Sequence, residues 1–187
     1  MPVQSARLTM TTIFLDLDGV LVEARPGRYG PEYLLRPGVE EGLQRLREIA
    51  DRIVVLVDRL PSRPGRRRPR RDPRLERLES ELGPDATDLV IVQCPHDPEA
   101  GCRCAKPEPG LIESTLKGLE LHARGGWHVG NDQAGVQAGR AAGLRTIRIG
   151  PLGEDHLSAV HRPDHEARDL LDAANWILVE TSQSLSV

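Results

Sequence analysis

The 187-residue chain has few aromatic residues: Phe, Trp and Tyr together make up 3% of it. Its core must therefore be aliphatic. It has only three cysteines, an odd number confined to one short stretch. That excludes a disulfide framework and suits a reducing compartment. Long apolar runs are also missing. The longest purely aliphatic run is Ile53–Val57, far short of a membrane span. Residues 1–12 lack the apolar stretch that a signal peptide needs. Positive charge is not in excess, and the net charge of -3 counts against a nucleic-acid-seeking surface. These absences leave a soluble, cytoplasmic protein. Its length suits a single domain, residues 1–187, with a core over about 12–179.

What is present is concentrated first in Cys94–Pro107. A Cys94-x-His96 pair and a Cys102-x-Cys104 pair are separated by a short Pro- and Gly-containing loop. In extended chain, residues i and i+2 point to the same side, so each pair can turn two ligands toward one ion. Three sulfurs and one imidazole nitrogen are the usual complement of a closed, structural Zn²⁺ site. The spacing is not that of a zinc finger.

Apolar periodicity sets out alternating strands and helices. Ile13–Asp16, Ile53–Val57, Asp88–Val92, Trp127–Gly130 and Arg145–Ile149 read as buried strands. One helix is expected after Pro37-Gly38, with Val39, Leu43, Leu46 and Ile49 on one face. Others are expected around Leu75, Leu78 and Leu82, over Pro107–Leu121, over Asp132–Ala142 and over Glu166–Val179. Met1–Thr11 reads as a loose arm, Ala24–Pro31 as a loop, and the polar tail from Glu180 as fraying. This alternation predicts an α/β fold, a Rossmann-like parallel sheet flanked by helices on both faces. Ligands of such sheets sit at the carboxyl ends of the strands. Those ends carry Asp16, Asp58, the loop leading to Lys106, and Gly130-Asn131-Asp132. Acidic and basic groups would therefore meet in one crevice.

Asp16 and Asp18 place two carboxylates at i and i+2, and Gly19 lets the chain turn at once. One carboxylate can attack an electrophile, and the other can exchange a proton with the leaving group and with water. Mg²⁺, a hard cation that takes oxygen ligands and bridges phosphate, would relieve their mutual repulsion. Lys106 would neutralise a phosphate oxygen as a point charge. Together these parts describe phosphoryl transfer through an aspartyl-phosphate.

Asp16-Leu17-Asp18-Gly19-Val20 resembles the first motif of the haloacid dehalogenase (HAD) superfamily. The cysteine loop, with Lys106-Pro107 and Pro109-Gly110 behind it, is similar to a capless branch of heptose-bisphosphate phosphatases and histidinol-phosphatases. The similarity runs from about Thr12 to Ile149, and Tyr29–Leu46 shares in it. The resemblance implies a HAD-like fold in which a zinc-stabilised loop takes the place of a large cap domain. It also implies a nucleophile role for Asp16 and a general acid/base role for Asp18. Lys106 would be the third-motif lysine. Asp16 and the backbone carbonyl of Asp18, with Asn131 and Asp132, would hold Mg²⁺.

The chain departs from the family at the phosphate. The second motif normally supplies Thr or Ser, but here it reads Val57-Asp58-Arg59-Leu60. Asp58 and Arg59 therefore stand where substrate is received. Like charges ~4 Å apart repel by about 4 kcal/mol at an effective dielectric near 20, so Asp58 needs a partner such as Arg59. The fourth motif normally supplies an aspartate and, four residues later, a second acid. Here those positions are Asn131 and Gly135, with Asp132 one residue along. Ala105 replaces the arginine before the lysine. The expected function is a Mg²⁺-dependent phosphatase of a small phosphorylated metabolite in carbohydrate metabolism, such as a sugar phosphate, or of histidinol phosphate. The alternative is a catalytically impaired relative that binds a phosphorylated ligand or a protein partner.

The remaining features read plainly. The arginine-rich segment 59–71 is expected to be a flexible, solvated loop; the alternative is an anion-binding loop, for nucleic acid or for the distal part of a phosphorylated substrate. No aromatic residues interleave it for base stacking, so no nucleic-acid partner is expected. Nor is a membrane partner, and the chain is expected to be a monomer. His122, His156, His161 and His165 read as surface residues, His128 as structural, and Trp127 and Trp176 as core packing.

Overall fold

The computed structural model describes residues 11–28, 30–58, 71–96, 101–150 and 162–184. In chain order the elements are β1 (Thr12–Asp16), β2 (Val22–Gly27), β3 (Gly30–Leu35), α1 (Val39–Arg47), β4 (Arg52–Val57), α2 (Pro73–Leu82), a 3₁₀ turn (Gly83–Ala86), β5 (Leu89–Gln93), α3 (Gly110–Gly118), β6 (Trp127–Gly130), α4 (Gln133–Ala141), β7 (Arg145–Ile149), β8 (His165–Ala167) and α5 (Leu170–Ser184). Six strands form one sheet in the order β5-β4-β1-β6-β7-β8, and every pairing is parallel.

The sheet is covered on both faces because its central strands are apolar on both sides. All five residues of β1 are buried. Ile13 and Leu15 join a cluster with Leu43 and Leu46 of α1, Leu78 of α2, and Leu170 and Ile177 of α5. Phe14, between them, points the other way, with Val54 and Leu56 of β4 and Leu111, Ile112 and Leu116 of α3. This period-two alternation divides the aliphatic residues between two cores. Each fully buried side chain of this size stabilises the fold by about 1.5–3 kcal/mol relative to exposure.

The α/β reading, a parallel sheet flanked by helices on both faces, holds. Four local expectations do not. Ala24–Pro31 lies within an antiparallel ribbon, β2 with β3, not in an open loop. Pro26 faces Pro31 and Gly27 faces Gly30 in that ribbon. Both strands are edges, so prolines that would break a central strand are tolerated. The helix expected from Pro107 begins at Gly110, because Pro107 and Pro109 shape the turn before it. The start of the last expected helix is instead the three-residue strand β8, too short to show a period, and α5 begins at Leu170. Its polar end continues helically to Ser184, where fraying was expected. Segment 59–70, including Arg59, lies outside the described residues, as do Tyr29, His156 and His161. Among the described residues no helix is long and apolar enough to cross a membrane.

Candidate active site and metal-binding loop

Parallel strands deliver their carboxyl ends to one edge of the sheet. β1 ends on Asp16, β4 runs into Asp58, β5 into Cys94, and β6 into Asn131. Lys106 joins three of these ends. Its Nζ lies 2.9 Å from Asp16 Oδ2, 2.9 Å from Asp58 Oδ2 and 3.4 Å from Asp132 Oδ2. Burial works against its charge, but the Asp16 and Asp58 carboxylates outweigh it, and the Lys106 pKa is raised. Asp58 therefore has a partner, and it is Lys106. A cleft of about 530 Å³ opens beside this cluster, lined by Val57, Asp58, Cys102, Lys106, Leu111 and Asp132 among others. That volume suits a small metabolite.

Asp16 is 2% exposed. Burial pushes its pKa up, but the His128 imidazole and the Lys106 ammonium outweigh burial and hold it below the ordinary carboxylate value. His128 Nε2 lies 3.1 Å from Asp16 Oδ1. The sequence marked His128 only as structural, yet it reaches the nucleophile candidate. Glycines make room for it. A Cβ at Gly135 would fall 2.9 Å from Asp16 Oδ2, and one at Gly139 would fall 2.8 Å from the His128 Cβ. The glycines of α4 thus let that helix settle onto Asp16 and His128, a closeness that a larger residue would prevent. Asp132 caps the helix, its Oδ1 accepting from the Gly135 N–H at 2.7 Å.

The chain turns at Gly19, whose φ is 73°. The Asn131 side chain lies against it: a Cβ on Gly19 would fall 2.1 Å from Asn131 Nδ2. Asp18 follows a different rule from Asp16. Burial raises its pKa, and the Asp58 and Asp72 carboxylates add to that, while Arg74 pulls it down without prevailing. Arg74 is the site residue that sequence reasoning missed. It is 2% exposed and ion-paired to both Asp18 and Asp72. Among so many arginines nearby, nothing in the sequence distinguished it.

The four residues expected to bind zinc converge. Ligand atoms of Cys94, His96, Cys102 and Cys104 all lie within 4.8 Å of one another. Cys94 Sγ is 3.4 Å from His96 Nδ1 and 3.5 Å from Cys102 Sγ, and Cys104 Sγ is 3.5 Å from His96 Nδ1. Ligand atoms about 3.5–3.8 Å apart are what tetrahedral bonds of about 2.0–2.3 Å produce. Burial and the neighbouring Cys94 and Cys102 sulfurs push the Cys104 thiol up to about 12. A bound cation is what would let such crowded thiols ionise together. The magnesium set is thinner. Asp16 and Asn131 offer hard oxygens beside the Asp18-Gly19 turn, and the closeness of Asn131 to Gly19 fits a small cradle there. Asn131 brings no charge, however, and both Asp132 oxygens are engaged elsewhere.

Comparison with known proteins finds relatives in sequence and in fold. The HAD-hydrolase-like family model matches residues 103–173. The D-glycero-beta-D-manno-heptose-1,7-bisphosphate 7-phosphatase of Pseudomonas putida is 33% identical over 76 residues, 41% of this chain and 42% of that protein. The aligned part thus spans about two fifths of that relative's length. The Bordetella bronchiseptica enzyme of the same name is 28% identical over 144 residues, 72% of this chain and 77% of that protein. A crystal structure of D,D-heptose 1,7-bisphosphate phosphatase from B. bronchiseptica, with magnesium and phosphate, superposes with a TM-score of 0.66 at 21% identity. It covers 91% of this chain and 99% of that one, so the fold is shared.

Proposed function

The resemblance to the HAD superfamily and its heptose-bisphosphate phosphatase branch is borne out by these matches, and we propose that this protein is a phosphomonoester hydrolase of a small phosphorylated metabolite. The observation that carries the reading is the Lys106 ammonium 2.9 Å from the buried Asp16 carboxylate, at the strand ends. A phosphorylated sugar of the heptose-bisphosphate kind is the first substrate class to try, since the relatives' names point there. Histidinol phosphate is the second. In the reaction we infer, an Asp16 oxygen attacks phosphorus. The bond from phosphorus to the ester oxygen breaks as Asp18 gives that oxygen a proton. Asp18 then takes a proton from water, which attacks phosphorus, breaks its bond to Asp16 and releases inorganic phosphate. Lys106 neutralises charge on the phosphoryl oxygens. A magnesium ion on Asp16, the Asp18 carbonyl and Asn131 would add further neutralisation. Zinc on the Cys/His loop leaves no open position, so its role is to hold the loop that presents Lys106. Thiolate ligands suit a cytoplasmic setting.

One observation favours a second reading, a weakened enzyme that chiefly binds a phosphorylated ligand. Asp58, where the family has a hydroxyl, occupies Lys106. A phosphate-release panel of sugar phosphates, histidinol phosphate and nucleotides with Mg²⁺ separates the two, with Asp16→Asn as control. Turnover abolished by Asp16→Asn is the expected result. No release from any ester by folded, zinc-loaded protein would overturn the hydrolase.

A further inference from the structure

Arg74 lies in the first turn of α2, away from every motif discussed so far, yet its guanidinium is buried at the reaction end of the sheet. Its Nε donates to Asp72 Oδ1 at 2.9 Å and its Nη2 to Asp72 Oδ2 at 2.6 Å, a two-pronged grip on one carboxylate. Nη2 also donates to the backbone carbonyl of Asp58 at 2.5 Å, at the end of β4. Nη1 donates to Asp18 Oδ2. Asp72 is itself fixed, because its Oδ1 accepts from the Arg74 N–H at 2.9 Å as the N-cap of α2. One planar fork therefore ties three segments together: the turn after β1, the end of β4 and the start of α2. A lysine, with a single point charge, could not grip Asp72 and reach Asp18 in this way.

We infer that Arg74 is the positioning residue for the general acid/base Asp18, a role that rests on the phosphatase reading above. Its hold on Oδ2 fixes the Asp18 carboxyl in one orientation and leaves Oδ1 to carry the proton to the leaving oxygen. Asp18 needs such a support because its side chain is 42% exposed and stands on a turn, not in a strand. Asp16, buried in β1, has no such need. Arg74 acts through Asp18, and nothing in its contacts calls for it to touch the substrate.

The role has a signature that mere destabilisation lacks. Proton donation matters most when the leaving group is basic and least when it departs easily as an anion. The experiment is a series of substituted phenyl phosphates, from p-nitrophenyl to phenyl, with kcat/KM plotted against leaving-group pKa. The parent, Arg74→Lys and the milder Asp72→Asn are compared. Asp72→Asn keeps a capping oxygen and loses one charged arm, and it serves if Arg74→Lys folds poorly. The expected result is a steeper plot in both variants. For Arg74→Lys, phenyl phosphate should lose about a hundredfold while p-nitrophenyl phosphate loses less than about tenfold. Parallel losses across the series, or none, would overturn the positioning role and leave the hydrolase standing. A parent inactive on every ester, with Asp16→Asn no different, would instead overturn the phosphatase reading and this role with it.

Discussion

Asp16 and Asp18 stand two residues apart in opposite electrostatic settings. Asp16 is held below its ordinary value of 3.8 by His128 and Lys106 acting against burial. Its contribution to stability is therefore present above 3.8 and is lost as pH falls through its lower folded value. Asp18 is raised, chiefly by burial. Its contribution has the opposite sign: it is present below 3.8 and is lost as pH rises through the raised folded value. A carboxylate biased toward its ionised form beside one biased toward its protonated form is the division of labour that the proposed acid/base chemistry needs. Replacing Lys106 by Met removes one of the two groups holding Asp16 down. The acid-unfolding midpoint, followed by circular dichroism, should move to higher pH, and an unchanged midpoint would contradict this account. Restoring charge with Asn131→Asp should lower the Mg²⁺ concentration for half-maximal activity by roughly tenfold, measured by titration of turnover. At this scale the sequence was readable where chemistry forces a type and a spacing, as for Asp16, Asp18, Lys106 and the Cys/His set. It was unreadable for Arg74 and His128, whose importance comes from burial against partners 56 and 112 residues away.

Helix α2 carries more than its ten residues suggest. Asp72 is at once its N-cap and the main partner of a buried guanidinium. Loss of a cap costs about 1 kcal/mol, and stranding a buried charge adds to that. Asp72→Ala should therefore lower stability by about 3 kcal/mol, read from urea unfolding, and a loss confined to the cap value would show that Asp18 alone satisfies Arg74. Leu43, fully buried where α1 packs on α5, is a simpler case: Leu43→Ala should cost about 2–5 kcal/mol. Elements were legible in proportion to their apolar period. Val39, Leu43 and Leu46 announced α1, and Ile53–Val57 announced β4. β2 and β3 were hidden because a ribbon lying outside the main sheet need not be apolar, and its prolines and glycines look like loop. β8 was hidden because three residues make no pattern, and its place is set by pairing with β7.

For the molecule as a whole, the strand order puts β1 between β4 and β6, so Asp16 rides on a strand with a hydrogen-bonded neighbour on each side. Lys106 comes from a loop leaving β5, an outer strand of the sheet, and the proposed zinc ion is what holds that loop. Metal analysis should find one zinc per chain, and chelation should lower the melting temperature and slow turnover together. Full turnover and an unchanged melting temperature in zinc-free protein, with Mg²⁺ supplied, would dismiss the ion as the anchor. The two partners at the centre of the site are thus mounted on supports of unequal stiffness. In deuterium exchange, amides of Phe14–Asp16 should be among the slowest to take up label, and those near Ala105 and Lys106 should speed up on chelation while β1 stays silent. Gentle warming would then unseat the lysine first and leave the aspartate in place, so a preparation could lose its activity well before it loses its shape.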